Sequence, residues 1–395
     1  MVLRLTWSKL AFAGVPLLRD ETRFVREDNE FSYSPLTTPI YQTSAFVMPE
    51  GAAFRYTREA NPTVNQLNSV ISNLEHAGAA ASFSSGMGAV TSVLLHRLRP
   101  GMTVLIHCDV FARTLKFLKD FMSLYGVKTT VAGPGTESLL HMYDGQDIVY
   151  VESISNPTLR VQDLRRIREE IKPKSILISD STFATPVNLK TLDSGADIVI
   201  HSGSKFISGH NDVISGVVAG SKDDIKGLDD FRKTIGETLD PFAAYLMLRG
   251  IKTLHVRMKH SGESAMKIAY ELNKMPGIAK VNFPGLQDHP DYRIASKMLK
   301  GYGSVISFSI DKNGPDPDAF MKRLKIITPA NTLGGVNTTI SHPATMSHRG
   351  FSLEERRIAG IDDSLFRLSI GLEDPEDITE DITASIQNVT HKRGR

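Results

Sequence analysis

Gly195-Ala196-Asp197-Ile198-Val199-Ile200 runs directly into His201-Ser202-Gly203-Ser204-Lys205-Phe206, and the reading of this junction decides the fold. The first six residues end in a β-branched run of the kind that forms a buried strand. Lys205 therefore falls in a loop at the carboxyl end of a strand, the rim where open α/β sheets place their ligands. Ser202 and Ser204 flank it, and the neighbourhood is largely apolar, punctuated by glycine, with His201 and His210 close in the chain. A lysine so placed can lose its proton and attack a carbonyl, which is the work of a Schiff-base lysine. The chain has 46 Lys and Arg residues, so a surface lysine in a polar turn is the plain alternative. Only residues elsewhere can lift Lys205 above it.

Outward from that strand, short apolar runs alternate with amphipathic segments. Strands are expected over 79–83, 103–107, 147–151, 176–179, 196–200 and 213–219. Asn61-Pro62-Thr63 opens a helix to about Glu75, with Thr63 as its cap and Leu67, Val70, Ile71 and Leu74 at helical spacing. This alternation predicts a mainly parallel sheet with helices on both faces. A Lys-rich helical stretch begins near Thr253, and strands over 305–310 and 365–369 follow it. The fold class expected is α/β, with a large domain over 63–252 and a smaller α/β domain over 253–395. Residues 19–50 are polar and aperiodic, so 1–62 reads as an extended arm.

The bulk properties narrow the function. A length of 395 residues accommodates two or three domains with a large core. A formal net charge of +2 gives no field for nucleic acid, and the only basic cluster is the terminal 391–395. No apolar run is long enough to span a bilayer. Cys108 is the single cysteine, which excludes an intrachain disulfide framework and thiolate metal clusters, and no metal is expected. Residues 1–13 contain Ala11-Phe12-Ala13, which imitates a cleavage site, but Arg4, Thr6, Ser8 and Lys9 interrupt any apolar core before it. A cytoplasmic protein is the expectation.

Several other residues carry chemistry. Ser84-Ser85-Gly86-Met87-Gly88 lies between a strand and a helix, where glycines admit an anion and free N–H groups favour a phosphate. A plain βα turn explains it equally, and no Walker loop follows. Asp180 ends a strand at the same rim as Lys205, where it can hold a proton on a heterocyclic nitrogen or simply cap a turn. Asn156 lies beyond a third strand at that rim and is a neutral partner for a phenolate-like oxygen. Arg367 interrupts an apolar strand in Phe366-Arg367-Leu368-Ser369-Ile370-Gly371. There it needs a partner, either an internal acid or a substrate carboxylate held by both prongs.

Three of these stretches, Glu152-Ser153-Ile154-Ser155-Asn156-Pro157-Thr158, Asp180-Ser181-Thr182-Phe183-Ala184-Thr185-Pro186 and His201-Ser202-Gly203-Ser204-Lys205, resemble the Cys/Met-metabolism family of pyridoxal-phosphate enzymes. The likeness runs from Pro39-Ile40-Tyr41-Gln42-Thr43-Ser44 through Tyr56-Thr57-Arg58-Glu59-Ala60-Asn61-Pro62-Thr63 to Arg367-Leu368-Ser369-Ile370-Gly371-Leu372-Glu373. It implies a fold-type I enzyme with pyridoxal 5'-phosphate as cofactor and an amino acid as substrate. Lys205 would hold the cofactor as a Schiff base and shuttle protons, and Asp180 would keep the ring nitrogen protonated. Asn156 would face the ring hydroxyl, and Gly86, Met87, Ser202 and Ser204 would hold the phosphate. Tyr56 and Arg58 would complete that cup from a neighbouring subunit, in a tetramer built from dimers. Arg367 would bind the substrate carboxylate with Thr332 nearby, where the family usually has serine before Leu333-Gly334-Gly335.

The chain departs from the family pattern in places. Asp109-Val110-Phe111-Ala112-Arg113-Thr114 stands where the family reads Tyr-Gly-Gly-Thr after an acid. Phe111 can stack on the cofactor ring but lacks the hydroxyl, and losing a positioned acid–base group typically costs on the order of 10²–10⁴-fold. Arg113 replaces a small residue and is expected to meet an anionic part of the substrate, or else to turn to a surface acid. Asn337 stands where a glutamate is usual and is expected beside the substrate, while Ile340-Ser341-His342-Pro343-Ala344-Thr345-Met346-Ser347-His348 looks most like the γ-synthases and their nearest lyases. The resulting expectation is γ-replacement on an activated homoserine ester, as in a cystathionine γ-synthase. The alternatives are α,γ-elimination (cystathionine or methionine γ-lyase), O-acylhomoserine sulfhydrylation, or a cofactor-binding homologue without turnover. A serine acyl-enzyme, suggested by Ser202-x-x-Lys205, is disfavoured because its companion Ser-Asp-Asn and Lys-Thr-Gly motifs are missing.

Overall fold

A computed structural model describes residues 19–25, 35–48 and 52–387. The readings of 1–13 and of the basic tail 391–395 lie outside the described residues. Seven strands make the larger sheet: Ala79–Phe83 (β1), Thr103–His107 (β2), Lys128–Ala132 (β3), Ile148–Glu152 (β4), Ile176–Asp180 (β5), Ile198–Ser202 (β6) and Gly216–Gly220 (β7). Their order is β1-β7-β6-β5-β4-β2-β3, with β7 antiparallel to both neighbours and every other pairing parallel. In β4 every residue is buried, which is why an unbroken apolar run rather than an alternating one encodes it. The sequence reading omits β3. It is an edge strand, Lys128-Thr129-Thr130-Val131-Ala132, with only Ala132 buried, so it carries almost no apolar signal.

A second sheet follows, formed by Ile278–Asn282 (β8), Val305–Ile310 (β9), Thr328–Pro329 (β10), Thr339–Ser341 (β11) and Leu365–Ser369 (β12). Its order is β10-β11-β12-β9-β8, antiparallel except for the β10–β11 pair. The expected strands over 305–310 and 365–369 are its central pair. The edge strand β8 again escapes a pattern reading, because Ala279 and Lys280 are exposed.

Three local expectations are corrected. The cap of the Pro62–Leu74 helix is Asn61, whose side chain accepts the Thr63 amide at 3.0 Å. Thr63 instead donates its hydroxyl to the Pro39 carbonyl (2.8 Å) and accepts the Tyr41 amide (3.0 Å), which fastens the arm to the helix. Within the aperiodic 19–50 stretch, Asp20–Val25 is a short helix that buries Phe24 at 2 % exposure, its ring 6.0 Å from that of His255. The helix expected to begin near Thr253 starts at Pro241 and runs to Leu272, capped by Asp240. A division at 252/253 thus falls inside one 32-residue helix. Gly250, a weak helix former, hides its first turns from a propensity reading. The structure requires glycine there, since a Cβ would lie 2.2 Å from the Ser208 carbonyl oxygen.

That helix joins the two units. Met247, Leu248, Ile251, Leu254 and Met258 pack into the core under the larger sheet, and Ala265, Ile268, Ala269 and Leu272 into the core of the smaller one. Among the described residues, no helix is long and apolar enough to cross a membrane.

Candidate active site

Parallel pairing sets the site. The strands β4, β5 and β6 end in Glu152, Asp180 and Ser202, and register pairs Glu152 with Asp180 and Asp180 with Ile200. Side chains at paired positions share a face, as do residues two apart. Glu152, Asp180 and Ser202 therefore emerge at one rim, and Lys205 follows three residues later. Nine residues singled out from the sequence line a single cavity of about 360 Å³ there. Lys205, Asp180, Asn156 and Phe111 lie with Arg367, and Gly86, Met87, Ser202 and Ser204 complete the set.

One end of the cavity suits an anion. The Gly86–Arg97 helix starts at its wall, and Ser85 Oγ caps the Gly88 amide at 2.9 Å. The amides of Gly86 and Met87 are at the open end of this helix, where they and its dipole favour negative charge. Gly86 is required, because a Cβ there would come within 2.7 Å of Ser202 Oγ.

In the middle stand an amine and two acids. Burial, then the Arg367 charge, push Lys205 down to about 8, and its Nζ donates to Thr332 Oγ1 at 3.3 Å. Asp180 is raised by burial, while the hydroxyl and amide of Thr182, donating at 2.6 and 2.9 Å, oppose that. Glu152 is raised well above the carboxylate range by burial and by the Asp180 charge across the strand pair. Its two oxygens accept the amides of Phe111 (2.6 Å) and Asn156 (3.0 Å), so it fixes the backbone of two cavity-lining loops.

Behind these loops lies a buried network. His107 Nε2 accepts the Glu152 amide (3.0 Å), so the proton of the neutral ring sits on Nδ1 and donates to Asp109 (2.7 Å). Asp109 also accepts from Ser155 Oγ at 2.6 Å and from Thr158, and burial, which raises its carboxyl, is opposed by the bonds from His107, Ser155 and Thr158. The Asn156 loop is anchored through that carboxylate.

At the far end Arg367 comes from β12, buried at 4 % exposure with no carboxylate partner among the described residues. Its Nη1 donates to Asn156 Oδ1 (3.0 Å) and its Nη2 to the Thr332 carbonyl (3.3 Å), while Nε has no partner. Burial lowers it to about 10. A buried guanidinium with an open donor fits an incoming carboxylate.

The other expected site residues lie elsewhere. Tyr56 and Arg58 are exposed and do not line this chain's cavity; the Arg58 guanidinium lies 5.6 Å from the Tyr56 ring centroid, and its Nη1 donates to the Lys233 carbonyl (2.7 Å). Arg113 is exposed and lines a separate depression of about 300 Å³, which shares Ser347 with the Lys205 cavity. Asn337 is exposed and lines neither. The inward position at that turn belongs to Thr338, whose amide and hydroxyl both donate to Glu373 at 2.7 Å. Glu152, Thr182 and Ser347 join the site without having been assigned a role from sequence. Glu152 was findable, since it ends an apolar strand one register step from Asp180.

An anion cup, a low-pKa lysine, a buried acid and an unpaired arginine fit pyridoxal phosphate joined to an amino acid. The sequence profile described as Cys/Met metabolism PLP-dependent enzyme matches residues 21–387. An L-methionine γ-lyase of Fusobacterium nucleatum subsp. polymorphum is 37% identical over 377 residues, covering 90% of this chain and 95% of that protein. A cystathionine γ-lyase of Bacillus subtilis is 35% identical over 361 residues, covering 90% and 95%. The crystal structure of cystathionine γ-synthase from Xanthomonas oryzae pv. oryzae superposes with a TM-score of 0.90 at 34% identity, covering 93% of this chain and 98% of that one. The chain belongs to the Cys/Met-metabolism family of pyridoxal-phosphate-dependent enzymes.

Proposed function

We propose that the enzyme replaces the γ-substituent of an activated homoserine ester with a thiol, as a cystathionine γ-synthase does. The observation that carries this reading is the basic depression beside the cavity. Its Lys119 is paired with Glu355 (3.0 Å) and its Lys116 with Asp120, but Arg113 and Arg349 have no ion-pair partner among the described residues. A succinyl or phosphoryl ester has an anionic arm for those two arginines. Such an ester also leaves without protonation, which suits a site with Phe111 in place of a phenol.

Pyridoxal phosphate, once bound, draws electrons from the carbons of an amino acid joined to its aldehyde. The Gly86–Arg97 helix start, Ser202 and Ser204 would hold its phosphate, Asp180 its ring nitrogen, Asn156 its hydroxyl and Phe111 its ring face. Lys205, easily neutral near pH 8, would condense with the aldehyde and later carry protons to and from the substrate carbons. Arg367 would fix the substrate carboxylate. Tyr56 and Arg58 would serve the site of a second copy in a dimer-built tetramer; the apolar residues exposed along the arm, Leu36 at 99% and Val47 at 94%, support such an assembly. Cys108, a buried free thiol raised to about 12, suits a cytoplasmic location.

The test is a product assay with O-succinyl-, O-phospho- and O-acetylhomoserine plus cysteine. Cystathionine should form at least about tenfold faster than 2-oxobutyrate. The reverse ratio would establish elimination, the reading favoured by the similarity to the two γ-lyases. Arg113→Ala should raise KM for the anionic esters roughly twofold to fivefold, the scale of a solvated charge contact, and leave the acetyl ester nearly unchanged. An equal rise for all three esters would remove Arg113 from substrate recognition.

A further inference from the structure

Phe111 leaves the site without the hydroxyl expected above it, yet a second hydroxyl enters the same cavity. Ser347 lines the Lys205 cavity and the Arg113 depression at their junction. Its Oγ lies 2.9 Å from Nδ1 of His348. The imidazole is fully buried, its plane set edge-on to Phe351 at 5.0 Å, and its polar neighbours are the Ser347 hydroxyl and the Val110 backbone.

We propose that Ser347 and His348 form a proton relay that does the work of the missing phenol, with Ser347 Oγ at the substrate and His348 behind it. Ser347 is the catalytic residue and His348 acts through it. When the ring proton sits on Nε2, the Ser347 hydroxyl donates to Nδ1. A thiol then gives a lone pair to the substrate carbon. As the C–S bond forms the S–H bond breaks; that proton moves to Ser347 Oγ while the serine's own proton moves to Nδ1. After the product leaves, the proton returns through Ser347 to solvent. The departing ester anion keeps the C–O electron pair and needs no proton, so one relay is enough.

The surroundings tie this relay to substrate binding. Burial and the charge of Arg367, from β12, push His348 down to about 4. The backbone of Val110 and the carboxylate of Asp109, from the loop before Phe111, act in the opposite direction. In the free enzyme the ring is a neutral but weak acceptor. A substrate carboxylate on Arg367 offsets the opposing charge, so His348 gains proton affinity when the amino acid is in place. Val110 directly precedes Phe111, which backs the imidazole against the loop that lacks the phenol.

The inference rests on the proposed reaction for the direction of proton flow only. Ser347→Ala and His348→Asn should each lower kcat with the thiol on the order of 10²-fold, with cofactor absorbance and ester KM nearly unchanged. Ser347→Thr, which keeps the hydroxyl, should restore most of the rate. In the holoenzyme, the His348 NMR resonance, assigned by its loss in His348→Asn, should titrate at least one pH unit higher with saturating L-norvaline, which has the carboxylate but no leaving group. The acidic limb of the kcat profile should disappear in His348→Asn. Equal losses in Ser347→Ala and Ser347→Thr, an unmoved resonance, or an unchanged limb would each overturn the relay. Should His348→Asn fail to fold, the Ser347 pair decides. If the parent eliminates instead, the same variants are assayed on thiol release, where the relay runs backwards; only the reaction reading then falls.

Discussion

Replacing Lys205 with methionine will abolish turnover and, in the cofactor-free protein at pH 7, raise the melting temperature. Both effects follow from one placement. The amine would serve as nucleophile and proton carrier at once, so its removal should cost on the order of 10⁴-fold or more. Its charge, however, is held against burial and against Arg367, which lowers its pKa from 10.5 to about 8. Below pH 8 the lysine is protonated in both folded and unfolded chains, and the full cost of the buried charge is present. Between pH 8 and 10.5 only the unfolded chain keeps the proton, so the cost shrinks as pH rises and is gone above 10.5. By linkage this cost is about 3 kcal/mol below pH 8. Methionine keeps the volume without the charge. Its stabilisation should therefore be largest at pH 7 and vanish near pH 10.5 in paired thermal melts. A gain that is the same at both pH values would mean that the ammonium is not strained.

Asp180→Asn will lower kcat/KM on the order of 10²–10³-fold, the scale of removing one partner of a buried charge pair. Asparagine can still accept from Thr182 but cannot hold a proton on a ring nitrogen as a charge partner. The same change has a second readout that needs neither cofactor nor substrate. The Asp180 charge is part of what raises Glu152. In the cofactor-free variant the protonated-carboxyl infrared band of Glu152 should vanish at a lower pH than in the parent. Activity within about fivefold of the parent would exclude Asp180 as the ring-nitrogen partner, whatever the band does.

What the sequence revealed depended on where the signal lies. The interior strands β4, β5 and β6 are apolar through their first three residues, so they and the rim beyond them were readable, and Lys205, Asp180 and Asn156 with them. The edges β3 and β8 face solvent and contain lysine and threonine, which no apolar pattern marks. Asn61 took the cap expected of Thr63 because Thr63 has a long-range partner, the Pro39 carbonyl, that no local rule can see. Arg113 and Asn337 were placed by alignment with motifs. Their side chains point by the local turn, and that turn sends Arg113 into the neighbouring depression and leaves Asn337 in solvent. Ser347 and His348 stand far from Phe111 in the chain, and only the folded structure brings them behind it.

The Pro241–Leu272 helix has one more consequence. Its 32 residues form a rod of about 48 Å, with its first half embedded in one core and its second half in the other. Midway, Arg257 donates to the carbonyls of Phe206 (2.7 Å) and Ile207 (3.2 Å), the two residues after Lys205. The lysine is thereby pinned to the same rod on which the sheet carrying Arg367 rides. The span between the amine and the guanidinium proposed to receive the carboxylate is thus a fixed gauge, set by the protein before any ligand arrives. On that proposal, every α-amino acid would enter with its backbone in one pose. Choice among substrates would then fall to the other end of the ligand, at the mouth where Arg113, Ser347 and Arg349 meet.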